Sequence, residues 1–354
     1  MSEKKNTALS ASRIKLLQTC SYQYYCRYIL KLPDTTNAGA LRGSICHAIF
    51  ECLGNPRHKK LYDEVIKAKD TYACKPIKRL IDYYVKKHGI DEFEHTDMIN
   101  SMIVNGLEYD FFSKKHGKST KEISEERFDV SVDENGKNYR ILGFIDKLFL
   151  FKKKKIALIR DFKSSKQVFS GNDITDNMQD LMYRLAIKHL YPEYVKREME
   201  FLFLKFDPET EGLIEMPDVP DEELEGFEYF LTHIQEVINN FDEKTALSGL
   251  AYHKGFPKKE EGFAGKIVCG RSTRLGQLKK DGTPMWACPF KFARDYYVVL
   301  DKENKTVFTS WSKSDAKEKC ENGLTLEKRH YAGCPAFENL NNPKKSVDSN
   351  DFML

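Results

Sequence analysis

No stretch of this chain approaches the roughly 18 consecutive apolar residues that a membrane-spanning helix requires. Its polar opening, Met1-Ser-Glu-Lys-Lys5, also lacks the apolar segment of a secretory signal. Together these absences lead us to expect a cytoplasmic protein without a membrane-spanning helix. The phosphate-cradling pattern Gly-x-x-x-x-Gly-Lys-Ser/Thr is missing too, so an ATP-driven step would have to come from another chain. There is no internal repeat. None of the nine cysteines is spaced Cys-x-x-Cys, and without a secretory signal they argue against a disulfide framework and leave a metal, a cluster or plain thiols open.

What is present fits a large folded protein. At 354 residues, 41% hydrophobic and 31% charged, the chain can bury a substantial core, as one elaborated domain or two tightly joined ones. The net charge of +4 is modest, but it is unevenly placed. Residues 207–228 carry ten acids and no Lys or Arg, whereas Lys254 to Arg294 carries ten Lys or Arg against Glu260, Glu261 and Asp281. A polyanion is therefore expected along the later segment, with Arg271 and Arg274 as its contacts. Tyr252, Phe256, Phe263, Trp286, Phe290 and Phe292 are interleaved there, either to stack on unpaired bases or to fill the core.

The chemistry concentrates on two adjoining strands. Tyr139 to Phe151 is rich in β-branched and aromatic residues, Lys152 to Lys155 makes a turn, and Ile156 to Lys163 reads as the returning strand. Asp146 and Asp161 can then meet across the ladder, where directly opposed side chains sit roughly 5 Å apart. Carboxylates that close repel unless a cation lies between them. Alternation sends Asp161 and Lys163 to one face and Phe162 to the other, leaving the Phe162 carbonyl as a further oxygen ligand. Mg²⁺ or Mn²⁺ held this way keeps room for a phosphate and an attacking water, which Lys163 would orient. On the helix expected over Gly43 to Glu51, His47 and Glu51 share one face while Ile45, Ile49 and Leu53 turn inward. The imidazole suits Mn²⁺ as an extra ligand. A later helix, opened by a cap within Asp173 to Asn177, carries Gln179 and Tyr183 four apart, a pair able to hold a phosphate or the Lys163 region.

With the ordered set His47, Asp146, Asp161-x-Lys163, Gln179-x-x-x-Tyr183 in place, the sequence resembles the PD-(D/E)XK nuclease superfamily. The similarity is to the branch of RecB and AddB nuclease domains and CRISPR-associated adaptation nucleases, over about Leu9 to Leu190. Leu9 to Ile14, Cys20, Gly43 to Glu51 and Gly143-Phe-Ile-Asp146 also carry it. The proline that names the superfamily is absent before Asp146, as is usual in this branch. The resemblance implies His47, Asp146 and Asp161 as metal ligands, Lys163 as catalytic, and Gln179 and Tyr183 as supporting residues. It further implies that Cys20 joins three late cysteines around a [4Fe-4S] cluster. Here the late candidates are Cys269, Cys288, Cys320 and Cys334, with Cys20, Cys269, Cys288 and Cys334 as the expected set. Their wide spacing departs from the tight late triplet of that branch, so zinc and free thiols stay open.

The expected fold is α/β, a restriction-endonuclease-like mixed central sheet flanked by helices, with an N-terminal helical region and a C-terminal Cys-containing extension. Residues 1–125 would form the helical region with the His motif, 126–250 the catalytic core, 251–340 the basic Cys-containing region, and 341–354 a flexible tail. The expected function is a divalent-metal-dependent DNA nuclease, an exonuclease or end-processing enzyme in recombination, repair or phage DNA processing, acting on single-stranded or double-stranded ends. The alternative is a nuclease-fold subunit that binds DNA ends or assembles a larger complex with little cleavage of its own. A helicase or recombination protein is the expected partner in either case.

Overall fold

The structure is a computed structural model, and it describes residues 6–34, 37–253, 256–257, 268–321 and 323–340. Phe263 and the expected tail at 341–354 lie outside the described residues. The chain divides into two compact units. One holds the start of the chain through Ala11 together with Thr36–Asn239, the other Ser12–Thr35 together with everything after Asn239.

Helix α1 (Ala11–Thr19), from its second residue on, and helix α2 (Ser21–Tyr24), which runs on as a π-helical turn over Tyr25–Ile29, belong to the second unit. The first unit resumes with α3 (Ala38–Gly54), α4 (Lys59–Ala68), α5 (Lys75–His88) and α6 (Phe93–Glu108). Asn37 caps α3 by accepting from the Ala40 amide at 2.9 Å, and Ile45, Ile49 and Leu53 are buried at its helical spacing, as the sequence suggested. These four helices share one apolar cluster with Phe162 and Leu202 of the sheet and with Leu204 just past its fourth strand.

That sheet has five strands in the order β1-β2-β3-β4-β5. Strands β1 (Lys121–Glu134) and β2 (Lys137–Phe151) form a long hairpin whose turn, Asn135-Gly136, has both φ angles positive, the backbone that a two-residue hairpin loop demands. Strand β3 (Ile156–Lys163) returns antiparallel to β2 and is buried along its length except at Lys163. Helices α7 (Asn172–Thr175) and α8 (Met178–Leu190) then carry the chain to β4 (Lys196–Phe203), which lies parallel to β3. Short β5 (Leu213–Glu215) closes the edge antiparallel, and α9 (Asp221–Asn239) packs on β2 and α8. The result is the expected α/β arrangement, a mixed sheet with helices on either side. Among the described residues, no helix is long and apolar enough to cross a membrane.

Arg160 and Lys147 are among the buried cations of this unit. Arg160 pairs with Glu200, its register partner on β4, at 2.6 Å, and donates to the Asp110 carbonyl at 2.9 Å. Lys147 is 1% exposed and its ammonium makes no hydrogen bond. Its ammonium lies 4.1 Å from the ring centre of Phe111, 5.0 Å from Phe112 and 5.6 Å from Phe149.

In the second unit, α10 (Glu243–Ser248) meets α2, where Ser21 Oγ donates to the Ala246 carbonyl at 2.7 Å. Two-residue strands β6 (Tyr252–His253) and β7 (Phe256–Pro257) pair with each other. Strands β8 (Arg294–Leu300) and β9 (Thr306–Ser310) form a late hairpin; after α11 (Lys313–Glu318), β10 (Thr325–Tyr331) adds to β8.

Candidate active site

Strand β3 delivers the central residues. Its register with β2 pairs Lys147 with Arg160, which sets Asp146 and Asp161 opposite one another one step past the last ladder pair. There the Asp146 carboxylate substitutes for a backbone acceptor, taking the Phe162 amide on Oδ2 at 2.7 Å. Asp146 is 8% exposed and Asp161 3%, so two acids share a nearly dry space.

Asp161 is held from the α8 side. Asn177 caps α8 by accepting from the amides of Gln179 and Asp180, which fixes the helix start and with it the Gln179 side chain. Gln179 Nε2 donates to Asp161 Oδ1 at 2.7 Å and lies 2.7 Å from the Tyr183 hydroxyl, while its Oε1 accepts from Lys163 Nζ at 2.6 Å. The Tyr183 hydroxyl reaches Asp161 Oδ1 at 3.5 Å. Lys163 Nζ is 2.6 Å from Asp161 Oδ2, an ion pair without good hydrogen-bond geometry, so that buried oxygen keeps unused acceptor capacity. Burial, offset in part by Lys163, raises the Asp161 carboxyl above the usual range, with Asp146 adding to it.

The other wall comes from α3 and β1. His47 Nδ1 is 3.3 Å from Asp146 Oδ1 and 3.9 Å from Glu125 Oε1, and its Nε2 is 3.2 Å from the Phe162 carbonyl oxygen. Burial opposes charge on the imidazole, but the hydrogen bond and charge of Asp146, reinforced by Asp161 and Glu125, raise it to about 9.

Glu125 was not anticipated. It stands directly opposite Asp146 in the β1–β2 register, at a gap in the ladder between Ser124–Lys147 and Glu126–Ile145. Its φ of 54° lies in the left-handed region, a rare and strained backbone for a side chain of this size. Burial, then Asp146, pushes its carboxyl up to about 7, and Glu51 adds to the repulsion. Donor atoms of His47, Glu125 and Asp146 all lie within 4.8 Å of one another, the sole such group of three or more His, Cys, Asp or Glu among the described residues. Mutually repelling buried carboxylates, a neutral-capable imidazole, a nearby carbonyl and an under-used Asp161 oxygen fit a hard divalent cation. Asp161 stands outside that tightest group, turned toward Lys163 and Gln179.

The remaining expected residues are in the second unit. Cys20, Cys269, Cys288 and Cys334 are all buried, line one cavity and belong to one apolar cluster, although 314 residues separate the first from the last. Burial raises the Cys269 thiol to about 12 and the Cys334 thiol to about 11, so these groups stay protonated unless a cation draws off the protons. Cys320 lies apart, with its Sγ 3.5 Å from the Leu324 carbonyl oxygen. Cys26 is next to the cavity wall and contacts the Tyr331 hydroxyl at 3.6 Å. Arg271 and Arg274 are exposed. Of the interleaved aromatics, Phe290 and Phe292 are core, Tyr252 packs on Phe337, and Trp286 is 57% exposed.

None of the curated proteins compared with the chain matches it. The family model of the PD-(D/E)XK nuclease superfamily matches residues 8–250, which span α3, the whole five-stranded sheet and α8 with every residue of the site above. The chain belongs to the PD-(D/E)XK nuclease superfamily, whose members are metal-dependent nucleases.

Proposed function

We propose that this protein is a Mg²⁺- or Mn²⁺-dependent deoxyribonuclease of the RecB/AddB-like branch that trims DNA from its ends as an exonuclease, in recombination, repair or phage DNA processing. One observation carries this reading. Asp161 is bound at once by Lys163, Gln179 and Tyr183 while facing Asp146 and His47, so the whole ordered set that defines the branch converges on one point.

In this reading His47, Asp146, Asp161 and the Phe162 carbonyl hold the cation, joined by Glu125. The cation supplies Lewis acidity to the phosphate and lowers the pKa of a bound water. Lys163 stands 2.6 Å from the Asp161 carboxylate and donates a proton or hydrogen bond toward the reacting oxygens. Gln179 orients that ammonium from Oε1 while its amide group holds Asp161, and Tyr183 braces Gln179, so neither swings when phosphate enters.

A [4Fe-4S] cluster on Cys20, Cys269, Cys288 and Cys334 belongs to the same reading, supported by four buried thiols that line one cavity.

The test uses linear and circular DNA of one sequence, each with Mg²⁺, Mn²⁺ or chelator. Shortening of the linear form alone, abolished by chelator, supports an exonuclease. Nicking of the circle would make it an endonuclease, and inertness toward both would remove the reading.

A further inference from the structure

Between Cys269 and Cys288 the chain forms a hairpin finger. Its base closes by a bond from the Cys288 amide to the Cys269 carbonyl at 3.1 Å. Its stem pairs the Met285 amide with the Gln277 carbonyl and the Lys279 amide with the Thr283 carbonyl, each at 2.8 Å, across a Leu278–Pro284 bridge. At the tip, Asp281 Oδ1 accepts from both the amide and the hydroxyl of Thr283 at 2.9 and 2.6 Å, so the one acid of the finger is engaged in its turn. Lower down, Gln277 Oε1 accepts from the Thr273 amide at 2.7 Å, and buried Lys291 donates to the Gly270 and Ser272 carbonyls. The finger is thus tied along its length.

Its outer surface is unusual. Leu275, Leu278 and Trp286 are each more than half exposed, among Arg271, Arg274, Lys279 and Lys280. One side of Trp286 is nonetheless backed by the chain. Its ring edge lies over Gly270, where an added Cβ would come within 2.6 Å of the ring and 2.3 Å of the Trp286 carbonyl oxygen, at a φ of 71° that favours glycine. A large apolar ring backed by the chain on one side and open to water on the other, at the edge of a cationic finger, offers a face for stacking. A base has a flat π-face and a charged backbone, and it matches both features.

We propose that this finger is a stacking platform for unpaired bases of single-stranded DNA, with Trp286 as the stacking ring, Leu275 and Leu278 as its apolar flank, and Arg274, Lys279 and Lys280 following the phosphates. This rests on the nuclease reading and extends it, since it makes single strands or frayed ends the preferred ligand.

The test is a titration in chelator, which silences cleavage. In a Trp311→Phe background Trp286 is the sole tryptophan of a chain that has two. Adding an oligothymidylate of about 16 nucleotides should quench its fluorescence, whereas a blunt duplex should not. In the otherwise unaltered chain, Trp286→Ala should weaken single-strand binding by about tenfold with duplex binding unchanged, Trp286→Phe should retain it, and the salt slope should stay as it was because no ion contact is lost. Bound but unquenched Trp286, or equal loss for strand and duplex, would overturn the proposal. A chain that cuts DNA yet shows no quenching defeats the finger alone, whereas one that neither binds nor cuts defeats the reading beneath it.

Discussion

Glu125 shows what the site costs the fold. A glutamate at φ 54° facing a second carboxylate is unfavourable twice over, in backbone and in charge, and such strain persists where the surroundings over-determine it. We therefore expect Glu125→Gly to move stability and metal affinity in opposite directions. Chemical denaturation of the metal-free protein should show a gain of about 1 kcal/mol, because glycine accepts the left-handed backbone. Calorimetric titration with Mn²⁺ should show affinity falling at least about tenfold. A variant that binds Mn²⁺ as the parent does would remove Glu125 from the ligand set. Glu125 was also the residue that could not be read from sequence. Glu122, Glu125 and Glu126 are all acids at the start of β1, and strand alternation alone does not say which one a local φ reversal will turn inward. Asp161 and Lys163, by contrast, were legible because a period of two is a local property of any strand.

At the scale of elements, β2 places Asp146 and Lys147 side by side with opposite tasks. Burial holds the Lys147 ammonium down to about 8, well below the usual 10.5, with Glu122 opposing the shift, Arg160 adding to it, and aromatic faces packed against the ammonium. Below pH 8 both folded and unfolded chains carry the proton, so the folded state bears the full penalty. Between about 8 and 10.5 the folded chain has released it and the unfolded chain has not, so stability rises with pH across that window. Relative to Lys147→Met, the parent should gain up to roughly 3 kcal/mol from pH 7.5 to 10.5, read from urea midpoints at each pH. A constant difference between the two would place the charge elsewhere. The same strand explains Gly143, where a Cβ would come within 2.4 Å of the Phe128 ring. Gly143→Ala should therefore lower stability by about 1 to 3 kcal/mol through overpacking, seen as a lower melting temperature; an unchanged one would mean that the ring moves aside freely. The sequence suggested β2 and β3 almost residue for residue, since their apolar runs end at the Asn135-Gly136 and lysine-rich turns. The polar first half of β1, by contrast, carries no strand signal.

The whole molecule unites distant stretches of chain. Cys20 and Cys334 share a cavity that no local spacing encodes, because the hairpin finger fills the gap between Cys269 and Cys288 and β8 to β10 intervene before Cys334. The aromatics of the basic segment divide the same way. Phe290 and Phe292 turn inward and Trp286 outward, a sorting that depends on tertiary packing and was left open by composition. If the four thiols hold a cluster, anaerobically purified protein should contain iron and acid-labile sulfide in equal amounts, about four of each per chain, and Cys334→Ser should lose both. Stoichiometric zinc without sulfide would contradict this.

The central claim is that Lys163, held between Asp161 and Gln179, completes a metal-dependent phosphodiesterase site. Its most direct test is single-turnover cleavage of end-labelled DNA by the parent and by Lys163→Ala, each in Mg²⁺ or Mn²⁺, with binding of the same DNA measured in chelator. The account predicts cleavage at least about a hundredfold slower in the variant with DNA affinity within about twofold of the parent. Cleavage at the parental rate by Lys163→Ala would contradict it.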